Sequence, residues 1–230
     1  MVLSPCVNVA GTDNSLQRLE VLRFFSPAGL MSQPRMILAS GSPQRKRLLS
    51  DAGYRFEVVA PRDSAECGIC STGGPAAMVC ELAQRKAADV IDQLLESDLD
   101  GTPKVLVACD TLAECEGAIL GKPVDEEHAR IMLEQLRGKV HRVYSGLCVW
   151  PFSSAQSAGA PMTRLAVTQL KMDKFSDEQL DEYLASGLWH GKAGAFGYQD
   201  RVGWLHIVEG SESNVIGLPM ELLEEMLELT

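Results

Sequence analysis

No apolar run in this chain comes near the ~20 residues that a helix needs to cross a bilayer, so no membrane partner is expected. Positive charge is scarce: 21 basic residues face 31 acidic ones, for a net charge of -10. That balance argues against general nucleic-acid binding, which needs a basic footprint. It leaves room for a small polyanionic substrate wherever cations converge locally. Cysteine gives no disulfide framework: seven is an odd number, in a 230-residue chain long enough to hold a core without staples. Reduced thiols and a cytoplasmic setting are therefore expected. Cys67-Gly68-Ile69-Cys70 lacks the second pair that a zinc site wants and the strand–helix context of a redox motif, so free thiols in a loop are the expectation. His128, His141, His190 and His206 are scattered without metal-ligand spacing. There is no P-loop, no G-x-G-x-x-G, no G-x-S-x-G elbow and no internal repeat.

What the chain does have begins at Met36. A short apolar run, Met36-Ile37-Leu38-Ala39, leads into Ser40-Gly41-Ser42-Pro43-Gln44-Arg45 and then a basic helix-forming stretch. This reads as a buried strand, a tight turn and a helix over Pro43 to Ala52. Ser42 is placed to cap that helix, and Pro43 stands at its first position, where a missing N–H costs nothing. The opening of such a helix presents backbone N–H groups that favour an anion. Gly41 permits close approach, Ser40 and Ser42 add hydroxyls, and Arg45 adds a guanidinium fork. An ordinary strand–helix turn carries the same local signs.

Residues 1–34 fit poorly with the rest of the chain and are read as a loosely ordered extension. Asp13 and Glu20 count against a transit peptide, and Met31 or Met36 is a candidate start. Residues 35–230 are read as one catalytic domain. Beyond the first helix, Phe56 to Val59 alternates as a strand, and Pro61 to Gly74 is a polar loop. Pro75 to about Leu95 repeats apolar residues at helical spacing. Val105 to Cys109 is a continuous apolar run, as in a strand buried on both faces, and is expected to end at Asp110-Thr111. Gly117 to Pro123 is expected as a loop. Next come a helix over Asp125 to Leu136, a strand over Val140 to Trp150, a Ser/Ala/Gly-rich connection and a strand over Arg164 to Met172. Ser176 caps the next helix, which ends at Gly187. Lys192 to Gln199 is irregular, Trp204 to Val208 is a strand, and Leu218 to Leu229 is an amphipathic helix. Strands and helices interleave, so an α/β fold is expected, with part of the sheet antiparallel.

Asp110 is the most informative acid, because ligands gather beyond the carboxyl ends of strands in open α/β sheets. A carboxylate there can hold a metal or take a proton from water. Lys86 sits mid-helix beside Ala83 and Ala87, and Lys122 is presented stiffly between Gly121 and Pro123. Each cation taken alone reads as a solvated surface charge. With Arg45 and Asp110 they make a phosphate-plus-metal set suited to phosphoryl chemistry.

Several stretches together resemble the Maf family of nucleoside triphosphate pyrophosphatases. They are Ile37-Leu38-Ala39-Ser40-Gly41-Ser42-Pro43-x-Arg45, Leu82-Ala83-x-x-Lys86-Ala87, Asp110-Thr111, Leu120-Gly121-Lys122-Pro123 and Lys192-Ala193-Gly194-Ala195-Phe196-Gly197-Tyr198-Gln199. Gly210-Ser211-x-Ser213-Asn214-Val215-x-Gly217-Leu218-Pro219 closes the series. The resemblance implies an elongated mixed α/β sheet flanked by helices, with two lobes and a central cleft. It implies hydrolysis of a nucleoside triphosphate to monophosphate and pyrophosphate with a divalent metal, Mg²⁺ or Mn²⁺. By position, Asp110 would be the catalytic acidic residue, activating water or binding metal. Ser40, Gly41, Ser42, Arg45, Lys86 and Lys122 would hold phosphates.

Three positions divide the family by base, and here they are Gln44, Thr111 and Gln199. Thr111 and Gln199 match the members acting on dTTP and UTP; Gln44 departs from the Arg found there. The acid expected after the second strand falls on Ala65 by direct counting, and a one-residue shift makes Glu66 a metal ligand. Modified pyrimidine nucleotides are further candidate substrates, and a homodimer is the candidate assembly. A different class of function is a nucleotide-binding regulator of cell division that no longer turns over and acts through a protein partner.

Overall fold

The computed structural model describes residues 35–66, 73–96, 102, 104–153, 159–200 and 203–230. The expected extension over 1–34, the Cys67–Cys70 pair and the side chains of Glu66 and Gln199 lie outside the described residues. The apolar runs become a seven-stranded mixed sheet. Its strands are β1 (Arg35–Leu38), β2 (Phe56–Val58), β3 (Lys104–Cys115), β4 (Ala118–Leu120), β5 (Val140–Phe152), β6 (Met162–Met172) and β7 (Leu205–Glu209). The order is β2-β1-β3-β5-β6-β7, and β4 pairs with β3. β1 is parallel to β2 and β3; every other pairing is antiparallel. Among the described residues six helices pack around it: α1 (Pro43–Asp51), α2 (Gly74–Glu96), α3 (Glu126–Leu136), α4 (Asp177–Ala185), α5 (Glu212–Ile216) and α6 (Met220–Leu227). No helix among the described residues is long and apolar enough to cross a membrane.

Alternation along the central strand decides which layer each residue meets. Val105, Val107 and Cys109 of β3 face a core shared with Leu49 of α1 and with Leu223 and Met226 of α6. Leu106 and Ala108 face the opposite core, built on Ala83, Ala87 and Val90 of α2. A third core gathers α3, α4 and the far halves of the strands around Leu133, Leu170, Leu180 and Trp204. The helix α2 lies very close to β5. A Cβ on Gly146 would stand 2.2 Å from the Val79 carbonyl oxygen, so only glycine fits there.

Two expectations are corrected. β3 does not end at Asp110-Thr111 but runs on to Cys115, held by an unbroken antiparallel ladder with β5 in which Asp110 faces Gly146. Its polar pair is carried by the partner strand's hydrogen bonds, which do not depend on apolar side chains. The loop expected over Gly117 to Pro123 contains β4, joined to β3 by a two-residue turn. Both turn residues, Glu116 (φ 52°) and Gly117 (φ 86°), are left-handed, as a tight hairpin of this hand requires. A further short helix, α5, stands inside the stretch between the last strand and the last helix, capped by Ser211.

Candidate functional site

The parallel neighbour of β3 stops early. β1 pairs with it only as far as Leu38 opposite Val107, and β4 takes up the same edge only from Ala113 opposite Leu120. Between them β3 has a bare edge, and a cavity of about 720 Å³ opens there. Ser40, Gly41, Ser42, Gln44, Arg45, Lys86, Asp110, Thr111 and Lys122 all line it. The structure thus brings together nine of the residues singled out from sequence. Glu66 closes a 3-10 turn over Asp63–Glu66.

Lys86 lies on the apolar stripe of α2, among buried Leu82, Ala83, Ala87 and Val90. It is no solvated surface cation. Asp110, on the α2 face of β3 by alternation, accepts a 2.7 Å bond from Lys86 Nζ, and the two side chains are only 7% and 15% exposed. Such a pair fixes the carboxylate's orientation beside the cavity.

On the other face, Arg45 is buried and largely engaged by the protein itself. Its Nε donates to the Gly217 carbonyl at 2.7 Å, one terminal nitrogen to Ser40 Oγ at 3.1 Å, and the other to Thr111 Oγ1 at 3.3 Å. Thr111 Oγ1 also lies 2.8 Å from Ser145 Oγ. Arg45 therefore clamps the β1–α1 turn, β3 and the end of α5 together. Two of its five N–H donors remain for a ligand.

The α1 opening follows the expected form. Ser42 caps the helix by accepting from the Arg45 N–H, Pro43 comes next, and the Ser42 hydroxyl donates to Gln44 Oε1 at 3.0 Å. Among the described residues the Gln44 main-chain N–H has no partner. A Cβ on Gly41 would meet no protein atom within 4 Å, so nothing in the protein itself demands glycine there.

Lys122 stands exposed on β4's far side. The Gly121 carbonyl accepts from the Gly194 N–H at 3.0 Å, which ties this segment to the glycine-rich loop. That loop brings in a cation that the sequence reading did not single out. Lys192 lines the cavity and is paired with Asp200, a carboxylate only 4% exposed. Asp200 also accepts from Tyr183 Oη at 2.8 Å and from the Gly197 N–H at 3.2 Å. Burial, together with that carboxylate, pushes the Tyr183 phenol well above its ordinary range.

His141 was missed as well. It lies on the cavity wall, is 5% exposed, and its Nδ1 has no protein partner among the described residues. Burial lowers its pKa to about 4, against smaller opposing effects of a backbone hydrogen bond at Lys139 and of the Glu114 charge. Around it the wall is apolar, with Ala113, Leu136, Val143, Leu170 and Met172. The cavity is cationic and hydroxyl-rich at one end and oily at the other.

No group of three or more His, Cys, Asp or Glu side chains suited to a metal exists among the described residues. A hard divalent ion that takes one protein carboxylate and completes its shell with phosphate oxygens and water needs no such group. Asp110, with its Oδ1 on Lys86, is a carboxylate on the cavity wall that could serve such an ion.

A family model described as "Maf-like protein" matches residues 35–230. A dTTP/UTP pyrophosphatase of Rhodopirellula baltica is 46% identical over 216 residues, covering 94% of this chain and 88% of its own. A dTTP/UTP pyrophosphatase of Agathobacter rectalis is 38% identical over 205 residues, covering 86% of this chain and 97% of its own. Among solved structures, the Ham1 protein of Staphylococcus aureus aligns with a TM-score of 0.45 at 14% identity, over 84% of this chain and 98% of that one.

Proposed function

The chain belongs to the Maf-like family, and from that premise we propose that it hydrolyses nucleoside triphosphates, dTTP and UTP foremost, to the monophosphate and pyrophosphate. The relatives described as dTTP/UTP pyrophosphatases support the reaction and the base. The observation that carries it is the convergence of the Lys86–Asp110 pair with Lys122, Lys192 and the α1 opening on one cavity.

In this reading the phosphates lie against the α1 opening and the lysines, and the base lies toward the oily end. Asp110 takes the proton of a water that attacks the α-phosphorus. The bond from that phosphorus to the α–β bridging oxygen breaks, and pyrophosphate leaves with the electron pair. Lys86 keeps Asp110 aimed. Arg45 holds the turn in register and offers its two remaining donors to phosphate oxygens. Asp110, with Glu66 as a second candidate, would hold Mg²⁺ or Mn²⁺, which supplies charge neutralisation on the polyphosphate. The setting is the cytoplasm, in keeping with Cys80, Cys109, Cys115 and Cys148 as free thiols.

Incubation with Mg²⁺ and a panel of nucleoside triphosphates tests the proposal. Pyrophosphate from UTP and dTTP is expected, and Asp110→Asn should reduce turnover at least about 100-fold, the low end for a general acid–base group. Release of inorganic phosphate in place of pyrophosphate, or full activity in Asp110→Asn, would overturn it.

A further inference from the structure

One polar side chain at the oily end of the cavity has no part in the reaction. His141 of β5 pairs across the sheet with Leu170 of β6, and by alternation it shares a face with Val143 and Ser145. Ser145 stands opposite Thr111 in the ladder with β3. His141 lies further along the same face, roughly 14 Å from Ser145 at ~3.4 Å per residue. Its ring is 5% exposed and lines the cavity among Leu136, Val143, Leu170, Met172 and Leu205. Its Nδ1 has no protein partner among the described residues.

Burial lowers the pKa of this ring to about 4, so at neutral pH it carries one N–H and one bare lone pair. A backbone hydrogen bond at Lys139 takes the N–H, and the unpartnered Nδ1 is left as the acceptor; the tautomer is assigned from these partners. A buried acceptor that meets no donor is costly, and a histidine kept only for packing would have both nitrogens satisfied. A lone water answers poorly, because buried water needs several polar partners and the side chains around the ring are apolar. A hydroxyl carried into this end on an apolar arm meets both demands.

A pyrimidine has two unlike edges. O2, N3 and O4 need hydrogen-bonding partners, whereas C5 and C6 need none. With the phosphates at the α1 opening, the C5 edge is the one that suits the oily wall, and a group on C5 extends toward His141. We propose that this end of the cavity is a subsite for a hydroxyl-bearing C5 substituent, so that 5-hydroxymethyl pyrimidine nucleotides, the oxidised counterparts of dTTP, are preferred over dTTP itself. The methylene packs against Leu170 and Met172, and the hydroxyl donates to His141 Nδ1. The thymine methyl fills the same space but leaves the lone pair unpaired, and uracil leaves both the space and the lone pair unanswered. The bond broken at the α-phosphorus is the same for all three.

This inference rests on the pyrophosphatase reading, and two measurements separate them. In the kinetic arm, 5-hydroxymethyl-dUTP should be hydrolysed with a kcat/KM about fivefold or more above that of dTTP, the scale of one neutral hydrogen bond. His141→Phe should reverse that order, because the hydroxyl then meets only apolar atoms, while His141→Gln, whose amide oxygen accepts, should keep part of the preference. In the binding arm, 15N spectra of the histidine rings are recorded on the full wild-type chain at neutral pH with non-hydrolysable α,β-methylene triphosphates. The 5-hydroxymethyl-dUTP analogue should move the His141 Nδ1 resonance upfield, as for a lone pair that gains a donor, and the dTTP analogue should not. Equal or faster turnover of dTTP, an unaltered ratio in a folded His141→Phe, or an Nδ1 resonance that both analogues move alike or neither moves would each overturn it. If no triphosphate gives pyrophosphate yet the hydroxymethyl analogue alone moves Nδ1, the reaction falls and the subsite stands. If dTTP is hydrolysed while Nδ1 stays silent, the subsite falls and the reaction stands.

Discussion

Replacing Lys86 by Met should cost more stability than any surface ion pair could, and the cost should shrink when Asp110 is changed as well. Met fills a similar volume in the α2 stripe but removes the ammonium. Asp110 then keeps its carboxylate at 15% exposure without the cation 2.7 Å away. An attraction at that range is worth about 6 kcal/mol gross at an effective dielectric constant near 20, but desolvation of both ions offsets much of it. Orphaning one member of a buried pair typically costs ~3–5 kcal/mol. Because Asp110 keeps a path to the cavity, the lower end, about 3 kcal/mol, is the expectation. For a unit of this size each kcal/mol shifts Tm by ~2–4 °C, so Tm should fall by about 6–12 °C.

The double variant Lys86→Met with Asp110→Asn removes both charges and should recover at least ~1 kcal/mol against the sum of the singles. Urea denaturation of the wild type, both single variants and the double gives this coupling directly. Additive effects, or a Lys86→Met loss below ~1 kcal/mol, would mean that the pair is held as weakly as an exposed one. The view of Lys86 as the group that aims Asp110 would then fail.

The cavity wall supplies two more tests. His141 has its folded pKa lowered from 6.5 to about 4, so the unfolded chain binds the extra proton first as pH falls. The stability that the neutral ring contributes is whole above about pH 6.5 and drains away down to about pH 4, up to ~3 kcal/mol in all; urea midpoints across that window should flatten in His141→Gln, and parallel profiles would refute the buried neutral ring. Asp200→Asn turns an acceptor against Lys192, Tyr183 Oη and the Gly197 N–H; loss of one charge-assisted bond, ~1.5–3 kcal/mol, should raise KM for UTP at least about tenfold with a smaller change in kcat, and an unchanged KM would remove Lys192 from the site.

Much of this was legible in the residues. Ser42-Pro43 announces a helix start, and the structure caps α1 there. The apolar stripe of α2 is plain in its spacing, and Lys86 on that stripe was the one charged residue in the wrong place for a solvated helix. What stayed hidden depends on partners far away in the chain. β3 looked finished at Asp110 because its apolar run stops, yet a ladder needs only main chain, and β5 supplies it. β4 escaped notice because Glu116-Gly117 is a weaker turn signal than Asn-Gly, although Glu116 takes the left-handed conformation. Arg45 was read as a residue that holds phosphate, and three of its five donors go to Gly217, Ser40 and Thr111. Only the fold shows that residue 217 is a neighbour. Lys192 and Asp200 sit eight residues apart in an irregular stretch with no periodicity to read. In the sequence Lys192 showed only as the start of a family-like stretch, and Asp200 as the residue just beyond its end.

The site's division of labour comes from the two-residue period of one strand. Asp110 projects toward α2 and meets Lys86. Its neighbour Thr111 projects to the opposite face and meets Arg45 from α1. The main chain between them points sideways, into the interval that β1 and β4 leave open. The carboxylate, the clamp and the bare strand edge thus take three directions from two consecutive residues. A one-residue slip of β3 would exchange the two faces at once, sending the carboxylate to the guanidinium and the hydroxyl to the buried lysine. The long ladder with β5, continuous through the site and seated on α2 at a position that admits only glycine, is what forbids that slip. The strand therefore runs past Asp110 to Cys115 for a functional reason: the residues beyond the site hold the register of the residues within it.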